Sequence, residues 1–243
     1  MTDTHPIQAN TLSVAVPARD EEANLEEAVA VMIPVIERHF SDYEIFIYDD
    51  GSSDRTGEIA EQLAAQYEHV SAFHNRPSIG LGGVVREGLK RAGMEYFMYI
   101  DGKAATTAAA LDLIFAARTE ADLVVPYMAN RGERSLGRRV VSRLFVAILN
   151  TTFRLDLQYY NHLLLCRTEV ARRANVRTAS YAFQAERTIK LIKSGCSYVQ
   201  VGVEDRYDLP GRRTKAFHLR NVLGVAAFYI HVLRDVRAMR GRQ

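Results

Sequence analysis

The sequence predicts an α/β protein built on a mostly parallel central sheet with helices on both faces. Three observations carry that reading. Strand-like and helix-like segments alternate through the first half of the chain, the pattern of a parallel sheet with crossover helices. The strand-like runs are short, apolar and rich in β-branched and aromatic residues, as in Ile45-Phe-Ile-Tyr48. Several of them stop abruptly at polar turns: Val16 before Pro17-Ala-Arg-Asp-Glu-Glu22, Tyr48 before Asp49-Asp-Gly-Ser-Ser-Asp-Arg-Thr56, and Ile100 before Asp101.

Taken in order, Thr11 to Val16 reads as a strand. Glu21 to about Phe40 reads as a helix, with Leu25, Val29, Met32, Ile33 and Ile36 at helical spacing. Glu44 to Tyr48 is a strand, Arg55 to Tyr67 a helix, and Val70 to His74 a strand. A glycine loop then leads into a helix from about Gly83 to Ala92, followed by a strand at Tyr96 to Ile100, a helix near Ala108 to Arg118 and a strand at Leu123 to Val125. Beyond about Asn130 the rhythm changes. Long helices are expected from Ser135 to Phe153 and from about Ala182 to Ser194, then a strand from Ser197 to Val203, a basic loop and a final helix.

Composition sets the bounds. With 243 residues, 48% hydrophobic and 25% charged, the chain is long enough for one large α/β domain. No repeat or linker divides it. A net charge of +2 gives no argument for nucleic acid, although the C-terminal end is basic. Cys166 and Cys196 lack metal-ligand spacing and fit a reducing compartment. The opening MTDTHPIQAN has no apolar core, so no secretory signal is expected. Val222 to Leu233 is the longest nearly apolar stretch and is too short to cross a bilayer. These features predict a cytoplasmic protein, either free or peripheral on the cytoplasmic face of a membrane.

In open α/β sheets ligands bind beyond the carboxyl ends of the strands. Asp49 and Asp50 therefore stand where a ligand is held, and ionised carboxylates there accept from base N–H groups and ribose hydroxyls. The alternative is an acidic surface turn in which Ser53 or Asp54 caps the next helix. Gly80, Gly82 and Gly83 lack dinucleotide-fingerprint spacing, Gly88 falls inside the helix, and no P-loop is present.

Pro17-Ala-Arg-Asp-Glu-Glu22, Asp49-Asp-Gly-Ser-Ser-Asp-Arg-Thr56, and Asn75 with Gly80, Gly82 and Gly88 resemble the family 2 inverting glycosyltransferases of GT-A fold. The second half resembles the dolichyl- or polyprenyl-phosphate mannose synthase-like branch. The segments that carry this are Arg138-Arg-Val-Val-Ser-Arg143, Tyr181-Ala-Phe-Gln-Ala-Glu186 and Gly211-Arg-Arg-Thr-Lys-Ala-Phe217. The likeness spans about Val14 to Phe217. It implies a flexible N-terminus at 1–10 and a GT-A domain at 11–215, with a nucleotide-binding half at 11–128 and an acceptor half at 129–215. Residues 216–243 then form a basic amphipathic helix.

The resemblance also implies roles. Pro17, Ala18, Arg19 and Glu21 would line the nucleoside pocket, and Asp49 and Asp50 would accept from base and ribose. Asp101 takes the place of the first acid of a DxD motif, which holds a divalent cation (Mg2+ or Mn2+) on the donor diphosphate. The motif reads Asp101-Gly-Lys103, so the second acid is a cation and Lys103 is expected to supply part of the metal's charge. A lone carboxylate is a poor metal site unless substrate phosphates and waters complete the shell.

The implied acceptor is a lipid phosphate, which arrives largely as an anion because its second pKa is near 6. Arg131, Arg134, Arg138, Arg212, Arg213 and Lys215 form the pool of cations for it, or alternatively a solvated basic face. Ser142, Gln184 and Glu186 are carried over as acceptor-side residues. Asp156 and His162 fall in Leu155-Asp-Leu-Gln-Tyr-Tyr-Asn-His162, where the sequence departs from the branch; they face the acceptor or belong to packing.

The expected function is transfer of a sugar, with inversion, from a UDP- or GDP-linked donor to a polyprenyl phosphate or related lipid. The alternatives are a family 2 transferase using a hydroxyl acceptor, with Asp156 as general base, and a nucleotide-sugar-binding module without turnover. In the final helix Phe217, Val222, Val225, Phe228, Tyr229, Val232 and Val236 recur at helical spacing beside Arg220, Arg234, Arg237, Arg240 and Arg242. That pattern suits a membrane surface or membrane-protein partner, packing on the domain, or a homodimer contact.

Overall fold

A computed structural model describes residues 10–130, 132, 136–178, 182–206 and 219–240. The strands are β1 Thr11–Ala18, β2 Asp42–Asp49, β3 Val70–His74, β4 Tyr96–Tyr99, β5 Leu123–Met128, β6 Leu165–Arg167 and β7 Tyr198–Val203. The helices are α1 Leu25–His39, α2 Thr56–Gln66, α3 Gly80–Arg91, α4 Ala108–Ala116, α5 Leu136–Phe153, α6 Thr168–Arg173, α7 Phe183–Lys193 and α8 Leu219–Arg240.

All seven strands join one sheet in the order β3-β2-β1-β4-β6-β5-β7. Every neighbouring pair is parallel except the two that β6 makes, with β4 and β5. Helices α1, α2 and α4 contact one another, as do α3, α6, α7 and α8 in a second group, so both faces of the sheet are covered. That coverage explains the continuous apolar runs. Leu12, Val14, Ala15 and Val16 of β1 and Phe97 and Met98 of β4 are all 0% exposed. The five apolar positions that predicted α1 are all buried.

Several elements differ from expectation for local reasons. Helix α1 starts at Leu25, because Asp20 takes φ 54° and residues 19–24 turn beyond the end of β1 before the helix begins. Helix α3 starts at Gly80, three residues early, because the Ile79 and Gly80 N–H groups donate to Asp50 and fasten its first turn. Strand β5 continues to Met128 because β7 pairs with its whole length. The short β6–α6 unit follows from no sequence pattern; Arg167 and Cys166 pair with Tyr96 and Phe97.

The final helix was open to several readings, and its second half packs on the domain. Phe228, Val232 and Val236 are 1%, 0% and 4% exposed. Tyr229 meets the ring of Phe153, and its hydroxyl lies 2.7 Å from Thr152 Oγ1. Among the described residues no helix is long and apolar enough to cross a membrane.

Candidate active site

The strand order places β1 between β2 and β4, so the loops after these three strands leave the sheet side by side. The first two loops are sewn together. Glu21 N–H donates to Thr56 Oγ1 (2.8 Å), Ser53 N–H to Asp20 Oδ1 (2.8 Å), Glu22 N–H to Asp54 Oδ2 (3.2 Å) and Arg55 N–H to Glu22 Oε2 (3.1 Å). Asp54 also accepts from the Thr56 N–H at 3.0 Å, so the helix-start role belongs to Asp54 and leaves the two preceding acids for other work.

Both of those acids are turned inward. Asp49 is 0% exposed; its carboxylate accepts from Ser52 N–H (3.0 Å) and Arg76 Nη2 (3.0 Å) and lies 3.1 Å from His74 Nδ1. Burial opposes ionisation, but the bonds from Ser52, His74 and Arg76 win and hold its pKa at about 2. His74, set between Asp49 and Glu61, is raised above the usual value, chiefly by its Glu61 bond and then by Asp49. Asp50 is 5% exposed and accepts from Asn75 Nδ2 (3.0 Å), Ser78 Oγ (2.6 Å), Ile79 N–H (2.8 Å) and Gly80 N–H (2.9 Å). Asp49 and Asp50, expected to accept from base and ribose, are thus already engaged by donors of the chain itself. They frame the pocket wall, and a ligand reaches Asp50 only by exchanging with the Asn75 amide or the Ser78 hydroxyl. Arg19, exposed, donates to the same Ser78 hydroxyl at 3.2 Å.

The third loop closes on the first. Gly102 N–H donates to Pro17 O (3.1 Å), and a Cβ at Gly102 would lie 3.2 Å from both Ala18 Cβ and Pro17 O. A side chain there would press the Pro17-Ala18 backbone and the Asp101–Lys103 loop apart by a few tenths of an ångström. Lys103 Nζ stands 4.0 Å from Glu21 Oε1. Burial pushes the Glu21 carboxyl up, against the pull of Asn24 and of the Lys103 ammonium. Pro17, Ala18, Arg19, Glu21, Asp101 and Lys103 are thus brought together at one rim.

The acceptor half is less convergent. Arg131, Arg134, Arg212, Arg213 and Lys215 lie outside the described residues, as does the side chain of Arg138; Ser142 is half-buried on α5. Asp156 is exposed, and its loop is tied to the middle of β7, where Gln200 Nε2 donates to Asp156 O (2.9 Å). Strand β7 lies three positions across the sheet from β4, about 14 Å at the usual strand spacing. That spacing separates the strands themselves, while the loops beyond them approach, since Asp205 after β7 pairs with Thr106 after β4.

Glu186 is 0% exposed and faces inward. It accepts from Lys190 Nζ (2.6 Å) and from the Arg177 (3.0 Å) and Thr178 (2.9 Å) N–H groups, with His231 Nε2 at 3.2 Å. Lys190 also pairs with Asp235 of α8 at 2.7 Å. This network fastens α8 to α7 and leaves Glu186 no face for an acceptor. Gln184 is buried beside Phe183, whose ring packs 5.7 Å from that of Tyr99.

His162 finds a partner that spacing could not show. Its Nδ1 accepts from the Leu163 N–H (2.8 Å), which assigns the ring proton to Nε2 and directs it at Asp205 Oδ2, 3.1 Å away. Both residues are 8% exposed, and Asp205 Oδ1 has no hydrogen-bond partner among the described residues. Asp205 pairs with Thr106, and the Arg206 N–H donates to Ala105 O, so this couple abuts the loop that follows Asp101. Behind it Arg187, 3% exposed, stacks 5.5 Å over the Phe97 ring. Burial, and then the Asp101 charge, hold the Tyr99 hydroxyl well above its usual pKa. Asp205 and Arg187 were missed by sequence reasoning. Glu204-Asp205 directly follows a strand, as Asp49-Asp50 and Asp101 do, and that was the available signal.

A cleft of ≈ 820 Å³ opens next to this couple, between the start of α4 and the ends of β5 and β7, with Asn130, Glu204, Asp205 and Arg206 on its wall. It does not reach Asp49, Asp50 or Asp101. Among the described residues no group of three or more His, Cys, Asp or Glu is placed to hold a metal. Asp101 with Lys103 offers one carboxylate and one cation, a donor set that does not fit a dedicated metal cage.

Comparison with known proteins defines the class. The Glycosyl transferase family 2 model matches residues 13–177, more than half of the chain, and the chain belongs to that family. Glycosyltransferase AglD of Haloferax volcanii is 28% identical over 154 residues, 60% of this chain and 25% of the relative. A dolichol-phosphate mannosyltransferase of Pyrococcus furiosus is 33% identical over 90 residues, 37% of this chain and 25% of that protein. The chain therefore spans about a quarter of the length of these relatives. The fold matches glucosyl-3-phosphoglycerate synthase of Mycobacterium tuberculosis, solved with Mn2+, UDP and phosphoglyceric acid, at a TM-score of 0.70 and 19% identity over 93% of this chain and 79% of that one. At that identity the likeness speaks for the fold, which is GT-A.

Proposed function

We propose that this protein transfers a sugar from a nucleoside diphosphate donor to a polyprenyl phosphate, inverting the anomeric centre. The observation that carries the reading is the single rim formed by Arg19, Glu21, Asp101 and Lys103, with Lys103 Nζ 4.0 Å from Glu21 Oε1. The matched Pyrococcus protein, by name a dolichol-phosphate mannosyltransferase, supports the acceptor class. So does an undecaprenyl-phosphate 4-deoxy-4-formamido-L-arabinose transferase of Photorhabdus laumondii, 26% identical over 144 residues.

The donor's base and ribose lie between the 17–21 and 75–80 segments, and its diphosphate lies against Lys103. An acceptor phosphate oxygen attacks the anomeric carbon as the bond to the diphosphate breaks, and the nucleoside diphosphate leaves. The acceptor phosphate is an anion near neutral pH and needs no strong base. What the reaction requires is positive charge on the departing diphosphate, and the Lys103 ammonium supplies it from within the chain.

Calorimetric titration of UDP and GDP, each with Mn2+ and with EDTA, tests this reading. One diphosphate is expected to bind in EDTA, and Lys103→Ala to weaken that binding by about tenfold or more, the worth of a charge-assisted phosphate contact. Binding seen only with Mn2+, or unchanged in Lys103→Ala, sinks the lysine mechanism.

A further inference from the structure

Helix α5 turns toward solvent a face that a surface helix normally buries. Leu136 (75% exposed), Val140 (54%), Leu144 (57%) and Ile148 (53%) recur every fourth residue, and Val141 is 50% exposed. At about 100° per residue these five occupy an arc of about 140° and run about 18 Å along the axis. The helix itself is firmly seated. On its opposite side Leu149 and Phe153 are 1% exposed, and Asn150 bonds Leu157 O (3.0 Å), Leu157 N–H (3.2 Å) and the Tyr160 hydroxyl (2.7 Å). The apolar arc is thus a property of a docked helix.

Charge selects what covers it. The eighteen residues of α5 include Arg138, Arg139 and Arg143 and no Asp or Glu. By helical spacing Arg139 and Arg143 border one edge of the apolar arc. A second copy of the chain meeting this face antiparallel, about a twofold axis normal to the helix, would set that edge against itself, and in a parallel pairing the facing α5 likewise offers no acid to answer the arginines. Anionic headgroups above acyl chains answer both features, since the apolar residues enter the hydrocarbon boundary and the guanidinium groups take lipid phosphates.

We propose that the outer face of α5 is a membrane-docking surface for anionic lipid, with the helix lying in the headgroup layer. This goes beyond the transfer reading and stands on the surface itself.

The test is flotation of the full chain with phosphatidylcholine vesicles, with and without phosphatidylglycerol, containing no polyprenyl phosphate and no donor. Docking is therefore read apart from transfer. The chain is expected to float with the phosphatidylglycerol vesicles and less with phosphatidylcholine alone. Leu144→Glu, and more mildly Leu144→Ser, should lower that partition, by about tenfold for the glutamate, through loss of apolar burial and added like charge. Unchanged Tm and nucleotide binding in both variants establish that the fold is intact. No flotation with either vesicle, or flotation indifferent to both substitutions, overturns the proposal. Lipid-free self-association that Leu144→Glu abolishes, with no vesicle binding, also overturns it and assigns the face to a second copy.

Discussion

Asp50 ties one carboxylate to four donors of the 75–80 loop, two of them the Ile79 and Gly80 N–H groups at the start of α3. These are groups a helix leaves without partners, at the end of its dipole that favours a negative charge. Asp50→Ala is therefore expected to destabilise the protein by about 3 kcal/mol, the cost of leaving several buried donors unmet. Urea unfolding measures this, and a loss below about 1 kcal/mol would place those donors in water instead. The pair Asp49-Asp50 was legible as a functional turn, because a buried strand that stops at two acids is a local pattern. Its satisfaction by Asn75, Ser78 and Arg76 was not, since those partners arrive from 25 or more residues away when β3 pairs with β2. Asp205 escaped notice for the same reason: its partner His162 is 43 residues distant and belongs to no shared motif.

At the level of elements, α3 lies unusually close to β1. A Cβ at Gly88 would fall 2.6 Å from Ala15 Cβ, inside the fully buried centre of the sheet. Gly88→Ala gains helix propensity, worth about 1 kcal/mol, and forces the helix off the strand, which in a filled core costs about 1–3 kcal/mol. Overpacking is expected to win, with a lower Tm and weaker nucleotide binding as α3 carries the 75–80 loop outward. A higher Tm would show that the helix shifts freely. Alternation of type made β1 to β5 and α1 to α4 readable, because the inner strands β1, β2 and β4 are largely buried on both faces and α1 shows its apolar stripe. Strand β6 has three residues, too few for any period, and exists because Tyr96 and Phe97 offer it an edge. Helix α5 was expected from Ser135 to Phe153, but the side its apolar residues face was not.

For the whole molecule, two buried carboxylates in different parts of the fold govern behaviour in acid. Asp49 in the donor half and Glu186 under α8 both ionise at about 2 in the folded protein, below their ordinary values of 3.8 and 4.5. Groups lowered on folding contribute stability that is complete above the unfolded value and is lost as pH falls through the folded one. Stability should therefore decline from about pH 4.5 to about pH 2, with each group contributing on the order of 2 kcal/mol. His74 has the opposite sign: its pKa is raised, so its contribution is present below pH 6.5 and lost as pH rises through the folded value. Glu186→Gln separates the two carboxylates. It leaves Lys190 with Asp235 and the Asn175 carbonyl and removes one of the two oxygens that hold the 177–178 backbone, a loss of about 3 kcal/mol at neutral pH by analogy with other broken buried pairs. Because the wild-type carboxylate protonates in acid and the glutamine does not, the gap between the two proteins should close as pH falls toward 2. Urea unfolding at neutral, mildly acid and strongly acid pH reads that convergence directly. Curves that stay parallel would mean that the α7–α8 network does not set the acid limit, and would leave Asp49 and its partners in the donor half as the group that does.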